Sequence, residues 1–244
     1  MVNKNYIYCR EVLDGMSELD DNSIDVIITS PPYNKIGLNG YIQETNRKFS
    51  PNIIYGKNQD LDNMPEEQYQ EWQIDFLNEC HRVLKPDGSM FYNHKNRIYK
   101  GEIISPYRWL LKSNFKIRQE IIWDRGSTNN VRRCRFLPTT ELIFWLTKGI
   151  PSFDRKQDTP FKNEVWSFPF ERNNPHPAPY PIELPDNILR CIPNEGDKKV
   201  VLDPFMGSGT TAIAAIKNGF DYIGFDIVPE YIDMANMRIS EYVL

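Results

Sequence analysis

The sequence is short of several things, and each shortage removes a class of protein. No apolar run approaches the ~18 residues of a membrane span. The opening stretch MVNKNYIYCREVLD is interrupted by polar residues, so a secretory leader is not expected. Cysteines number four (Cys9, Cys80, Cys134, Cys191), far apart and without a C-x-x-C pair. That spacing excludes a disulfide framework or a zinc ribbon and predicts reduced thiols in a cytoplasm. Three scattered histidines, His81, His94 and His176, give no metal-binding pattern. Internal repeats and low-complexity segments are also missing. What remains is ordinary for a globular protein: 244 residues, 40% hydrophobic and 25% charged, enough for one sizeable core.

The net charge of -4 hides a segregation. Between Asn93 and Arg135 there are eleven Lys or Arg against Glu102, Glu120 and Asp124. Glu11 to Asp25 is acidic. A basic segment on an acidic chain suits a polyanion groove, although charge runs are more often a solvated surface.

Periodicity predicts alternating strands and helices. Strands are expected at Tyr6 to Cys9, Ile24 to Thr29, Ser89 to Asn93, Phe115 to Trp123, Glu141 to Thr147, Val200 to Asp203 and Tyr222 to Asp226. Helices are expected at Glu11 to Leu19, from Tyr69 to Val83, and at Pro106 to Ser113, Ile182 to Cys191, Thr210 to Asn218 and Pro229 to Ser240. Ile24 to Thr29 is apolar except for Asp25, as in a strand covered on both faces. The pattern predicts a doubly wound, mostly parallel α/β sheet. Lys35 to Asn63 is a long polar segment, and such loops are functional or disordered.

Two stretches carry chemistry. VVLDPFMGSGTTAIAAI (200–216) reads as strand, glycine turn and helix, which aims backbone N–H groups at a ligand. No lysine follows Gly209, so it is not an ATP P-loop. Gly207, Gly209 and Ala212 fit G-x-G-x-x-A, with Asp226 placed for ribose hydroxyls. That leaves a dinucleotide, S-adenosylmethionine or a plain packing turn. The second stretch is ITSPPYNK (28–35). Neither proline has an N–H to donate, and Pro31 pushes Ser30 out of the α region. The strand therefore stops sharply and presents a hydroxyl, a bare carbonyl and an aromatic ring in a stiff frame.

Together, TSPPYN and DPFMGSGT resemble the two signature motifs of amino-group DNA methyltransferases. HPAPYP (176–181) resembles the family's third element and YIGFDI (222–227) its ribose-binding strand. The catalytic motif comes first and the cofactor motif last, which resembles the circularly permuted β group. The resemblance implies S-adenosyl-L-methionine as cofactor, contacted by His176, Pro179, Asp203, Pro204, Phe205, Gly207, Ser208, Gly209, Thr210 and Asp226. It implies Ser30, Pro31, Pro32 and Tyr33 as the catalytic set. Where the family often has Gly-Asp at the end of its first strand, the acidic residue helping to hold the adenosine, this chain has Cys9-Arg10-Glu11, which leaves the adenine contact on that side unassigned.

The chemistry explains the Pro-Pro motif. A base amino group is a poor nucleophile because its lone pair is delocalised into the ring. Drawing its two hydrogens towards Ser30 Oγ and the Pro31 carbonyl moves nitrogen towards tetrahedral geometry and frees that lone pair. Tyr33 is expected to stack on the base, which must leave the duplex to be reached. Serine before Pro-Pro is typical of cytosine-N4 enzymes, and Asp or Asn there of adenine-N6 enzymes. A cytosine-C5 enzyme needs a cysteine nucleophile, and none lies near either motif.

The resemblance divides the chain into a core (1–123 and 176–244) and a target-recognition insertion (124–175) within one compact domain. Lys35, Arg132, Arg133 and Arg135 are the expected DNA contacts. The expected partners are double-stranded DNA with a short recognition sequence and a cognate restriction endonuclease, with the protein a monomer or homodimer. Other classes remain as alternatives: a nicotinamide oxidoreductase, which would not need the Pro-Pro motif, and a DNA-binding module without turnover.

Overall fold

A computed structural model describes residues 2–34, 64–128, 133, 135–171, 174, 176 and 179–243. In chain order the elements are β1 (Tyr6–Cys9), α1 (Val12–Ser17), β2 (Ile24–Thr29), α2 (Glu66–Val83), β3 (Leu84–His94), β4 (Arg97–Tyr99), β5 (Glu102–Ile104) and α3 (Tyr107–Leu110). They continue with β6 (Lys116–Asp124), β7 (Thr140–Thr147), β8 (Val165–Ser167), α4 (Glu183–Leu189), β9 (Val200–Asp203), α5 (Thr210–Lys217), β10 (Asp221–Asp226) and α6 (Pro229–Val243).

Eight strands form one sheet in the order β1-β10-β9-β2-β3-β7-β6-β8. Its pairings are parallel except where β7 lies antiparallel between β3 and β6. Helices α1, α2 and α3 pack on one face, and α4, α5 and α6 on the other. β2 shows why a central strand has to be apolar. Val26 and Ile28 enter one core and Ile27 the other, and all three are fully buried. Each such side chain contributes about 1.5–3 kcal/mol of burial. Asp25 interrupts the run without being left unpaired. Its carboxylate accepts from Lys85 Nζ at 2.7 Å and from the Val200 N–H at 2.9 Å, so it ties β3 and β9 to β2.

The fold follows the expected doubly wound pattern, with three differences. Lys85-Pro86-Asp87-Gly88 does more than end the helix. It lies inside β3, and a register shift between Ile24 and Val26 absorbs it. Gly88 permits this, because a Cβ there would come within 2.8 Å of the Asp25 carbonyl. A β4–β5 hairpin, absent from the sequence reading, turns at Lys100 (φ 48°) and Gly101 (φ 88°). Positive φ at both central residues matches the right-handed strand twist of a two-residue hairpin. Finally, the stretch expected to form an insertion supplies β7, an interior strand, and β8, an edge strand, to the same sheet. What lies off the sheet there, among the described residues, belongs to the connections 125–139 and 148–164 and to the chain after Ser167.

The sheet order reverses direction between β9 and β2. Chain leaving β9 crosses to β10, and chain leaving β2 crosses to β3 on the other side. In open α/β sheets, ligands bind outside the carboxyl ends of the strands at such a point. Both sequence motifs end there. No helix among the described residues is long and apolar enough to cross a membrane.

Candidate active site

The two motifs are joined by one buried hydrogen bond. Thr29 Oγ1 donates to Asp203 Oδ1 at 2.8 Å, linking the last residue of β2 to the last of β9. Asp203 is 1% exposed and its carboxylate receives three further bonds. They come from Tyr180 OH (2.8 Å), Thr211 Oγ1 (2.5 Å) and the Phe205 N–H (3.1 Å). Burial raises its pKa, and the donors oppose that. Asp203 therefore locks the Asp-Pro-Phe turn onto β2 and onto the HPAPYP segment through Tyr180.

The glycine turn is held from three sides. Gly207 has φ 51° and Gly209 φ 80°, a region that favours glycine. A Cβ on Gly207 would meet His176 Nε2 at 3.0 Å, and one on Gly209 would meet Ala235 Cβ at 2.9 Å. The Ser208 hydroxyl accepts from Asn174 Nδ2 and Arg238 Nη1, each at 3.0 Å. Arg238 Nη1 also reaches the Ser208 carbonyl and, at 3.3 Å, Thr210 Oγ1. The Ser208 and Thr210 side chains thus tie the turn to α6. Asp226 ends β10 beside it. Its oxygens accept the Gly207 and Val228 N–H groups, each at 2.9 Å. Burial is the largest influence on Asp226 and pushes its pKa up to about 6, against those two N–H groups, with Asp203 adding to the rise. Phe205 packs on Phe76 and Trp72 of α2, with ring centroids 5.2 and 6.0 Å apart. Pro179 is half-buried in the segment leading to Tyr180.

At β1, Glu11 caps α1, with Oε2 accepting the Leu13 and Asp14 N–H groups. Arg10 pairs with Glu18. The acidic residue nearest the family's usual adenine contact is thereby committed to a helix end.

The Pro-Pro segment is held just as firmly. Asn34 (φ 51°) accepts the Met64 N–H at 2.8 Å and donates to the Met64 carbonyl at 2.9 Å. The chain on either side of residues 35–63 is therefore clasped together. Tyr69 of α2 donates to the Pro32 carbonyl at 2.7 Å. Its hydroxyl also meets His94 Nε2 at 2.8 Å and accepts from Gln73 Nε2 at 2.8 Å. Gln73 in turn accepts from Tyr92, which accepts from Trp109 Nε1. Arg97 from the hairpin lies 4.5 Å over the Tyr69 ring and bonds both oxygens of Glu66 at 2.8 Å. The carbonyl of Pro31, by contrast, receives no hydrogen bond from the described residues.

Ser30 Oγ lies 2.8 Å from Tyr33 OH. That phenol, on a side chain only 7% exposed, also contacts Glu141 Oε2 at 3.2 Å, Asn93 Nδ2 at 3.1 Å and the Asn93 carbonyl at 3.3 Å. Asn93 Nδ2 reaches Glu141 Oε2 at 3.1 Å, and Arg125 Nη1 bonds Glu141 Oε1 at 3.1 Å. The ring lies against His94, centroids 4.3 Å apart, with Lys95 Nζ 5.5 Å from its centre.

The fold thus brings Ser30, Pro31, Pro32 and Tyr33 to the same carboxyl end of the sheet as His176, Asp203, Gly207, Gly209 and Asp226. Of the expected DNA contacts, Arg133 is exposed and Arg135 half-buried in the 125–139 connection. Lys35 and Arg132 lie outside the described residues. Two other members of the basic segment are held in ion pairs: Arg97, buried on Glu66, and Arg125, half-buried on Glu141. The sequence reading missed Glu141, Asn93, Tyr69, His94 and Arg238. Glu141, a carboxylate opening an otherwise apolar strand, was the one clear signal.

Residues 24–237 match the family model N6_N4_Mtase, described as DNA methylase. Among curated relatives, the type II methyltransferase M.HpaI of Haemophilus parainfluenzae is 30% identical over 96% of this chain and 74% of its own length. The DNA adenine methyltransferase YhdJ of Escherichia coli is 26% identical over 94% and 81%. Among solved structures, the cytosine-N4-specific PvuII DNA methyltransferase superposes with a TM-score of 0.75 at 21% identity, over 99% of this chain and 92% of that one. TTHA0409 of Thermus thermophilus, a putative DNA modification methylase complexed with S-adenosyl-L-methionine, gives 0.67 at 20% identity, over 97% and 95%. With a paired Pro-Pro and glycine-turn site at the switch point of a doubly wound sheet, and a family model spanning nearly the whole chain, the protein belongs to the N6/N4 DNA methylase family.

Proposed function

We propose that the protein is a site-specific methyltransferase that moves a methyl group from S-adenosyl-L-methionine to the exocyclic amino nitrogen of a flipped DNA base, cytosine N4 in first place. The observation that carries this reading is a pair of acceptors, Ser30 Oγ and the Pro31 carbonyl, fixed beside the glycine turn through Thr29 and Asp203. Amino-methyl transfer asks for two acceptors, one for each amino hydrogen.

The residues fit the cofactor. Each Asp226 oxygen accepts one backbone N–H, which leaves a lone pair on each for the two ribose hydroxyls. Gly207 leaves a space beside His176 that a Cβ would fill. When bound, S-adenosylmethionine supplies an electrophilic methyl on its sulfonium sulfur. The chain's own part is to orient the base, draw its amino hydrogens to Ser30 and Pro31, and exclude water with the buried walls of α2 and β3. No nucleophilic side chain and no metal are asked for; among the described residues no acidic, His and Cys cluster suited to a metal occurs.

The serine at position 30 supports cytosine N4, because this acceptor precedes Pro-Pro in that group. Adenine N6 is the second reading, favoured by the likeness to YhdJ. The pairing of the N-terminal β1 with the near-C-terminal β10 supports the permuted order of the family. The 125–139 connection, with Arg133, Arg135 and the 99% exposed Phe136, is the proposed surface for reading the target. The test is to incubate the protein with radiolabelled S-adenosylmethionine and DNA, digest to nucleosides and identify the labelled base. Label on N4-methylcytosine is the expected result. Label on N6-methyladenine establishes the second reading, and no transfer to any DNA overturns both.

A further inference from the structure

The hydrogen-bond partners of Tyr33 bear on which way the Ser30 hydroxyl points. Glu141 is ion-paired with Arg125 at 3.1 Å and is 8% exposed, so its carboxylate only accepts. Asn93 places its amide nitrogen, a donor, 3.1 Å from both Glu141 Oε2 and Tyr33 OH. The reverse amide orientation would set its carbonyl against the carboxylate. The phenol thus receives one bond from Asn93, and its own hydrogen goes to Glu141 Oε2, because turned to Ser30 or to the Asn93 main-chain carbonyl it would leave the phenol oxygen 3.2 Å from a charged oxygen with no hydrogen between them. With its single proton used, Tyr33 meets Ser30 only as an acceptor. The Ser30 hydrogen must point at Tyr33, 2.8 Å away. Both Ser30 lone pairs then face away from the phenol.

We propose that Glu141, acting through Tyr33, turns Ser30 into an obligate acceptor, and that this relay sets the pocket's preference for a base bearing an amino group over one bearing a keto group. Glu141, Asn93 and Tyr33 are positioning residues in this scheme. The inference rests on the reading that Ser30 takes one amino hydrogen of the substrate. It also gives Tyr33 a task distinct from stacking, in keeping with a ring that is nearly buried against His94. A free serine hydroxyl can donate as readily as accept, so by itself it would suit the keto oxygen of uracil or hypoxanthine as well as the amino group of cytosine or adenine. Burial, and after it the Glu141 carboxylate, keep the phenol protonated well above its usual range, so the relay stays in this orientation across ordinary pH.

Two substitutions test the relay. Tyr33→Phe removes the acceptor for the Ser30 hydrogen and leaves the Asn93–Glu141 and Arg125–Glu141 contacts in place. In Glu141→Gln, Arg125 claims the amide carbonyl, which turns an N–H towards the phenol and takes away the carboxylate that held its proton. The probes are two duplexes that differ only at the methylated position: the amino base found by the labelling experiment, and its keto counterpart (uracil for cytosine, hypoxanthine for adenine). Binding is read by fluorescence anisotropy, and methyl transfer by single-turnover rate. Wild type should prefer the amino duplex by roughly tenfold or more, the scale of one buried hydrogen bond gained against one donor–donor or acceptor–acceptor clash. Both variants should lose most of that preference and methylate more slowly, with S-adenosylmethionine affinity unchanged as the sign that the fold is intact. Either variant retaining the wild-type preference and rate overturns the relay. Wild type transferring no methyl group to DNA overturns the reading beneath it, which is a different result.

Discussion

The glycine turn and the Pro-Pro pocket sit side by side at the carboxyl ends of the central strands, and they are built in opposite ways. The turn is contiguous: β9, α5, β10 and α6 all come from residues 200–243, and the donors to Asp226 are backbone N–H groups. The pocket is dispersed. Ser30 and Tyr33 depend on Asn93 from β3, Arg125 from the end of β6, Glu141 from β7 and Tyr69 from α2. A backbone-built site is specified by where glycine stands. A site built from side chains is specified by partners scattered along the chain. The first should fail when the local backbone is disturbed, and the second when a remote hydroxyl or carboxylate is changed.

Gly209→Val is the largest expected break on the turn side. A left-handed conformation costs an L residue ~1–2 kcal/mol, and forcing a side chain against Ala235 costs ~1–3 more. Thermal unfolding should show a loss in that combined range, together with lost S-adenosylmethionine binding. On the pocket side, Ser30→Ala should slow methyl transfer by roughly a hundred- to thousandfold, ~2.7–4 kcal/mol, while cofactor affinity stays near wild type. A wild-type rate would reduce Ser30 to a turn residue.

Asp226→Ala should weaken cofactor binding by roughly tenfold to a hundredfold, the ~1.5–3 kcal/mol of a charged hydrogen bond. The raised pKa adds a pH signature. Ribose hydroxyls need the charged carboxylate, so affinity by calorimetry should rise as pH climbs through about 6 and then level off. Asp226→Asn should remove that dependence. Stability runs the other way. The folded protein holds this proton to a higher pH than the unfolded chain does, so this group's contribution should decline as pH rises from about 4 to about 6.

Tyr69→Phe sharpens the contrast. It strips the hydroxyl from the half-buried Pro32 carbonyl and from the buried His94 and Gln73, and should cost ~1–3 kcal/mol in denaturant unfolding. Methyl transfer should slow and cofactor affinity hold, because the turn has no part in that network. The smallest effect is Arg133→Ala, which should flatten the dependence of log DNA affinity on log salt by ~0.9 and leave cofactor binding untouched. An unchanged slope would move the DNA surface away from the 125–139 connection.

The sequence by itself determined the strand–helix alternation, the glycine turn, the stop at Pro31-Pro32 and the acidic end of β10. Each is written in neighbouring residues: an apolar run, a missing Cβ or a missing N–H acts within a few positions. It was silent on the β4–β5 hairpin, whose only mark is Lys100-Gly101, and on the depth to which β7 enters the sheet. Tertiary structure alone decided that Arg97 and Arg125 are spent in ion pairs, one buried and one half-buried, since only packing reveals that Glu66 and Glu141 face them. It also decided that Asp203 and Ser208 spend their side chains on holding the turn. Above all it decided the direction of the Ser30 proton. Ser30 and Tyr33 are neighbours in the chain, but the residues that orient them stand 60 and 108 positions beyond Tyr33. Hydrogen-bond polarity depends on every partner in the cluster, and that cluster exists only once the sheet has brought β2, β3 and β7 together.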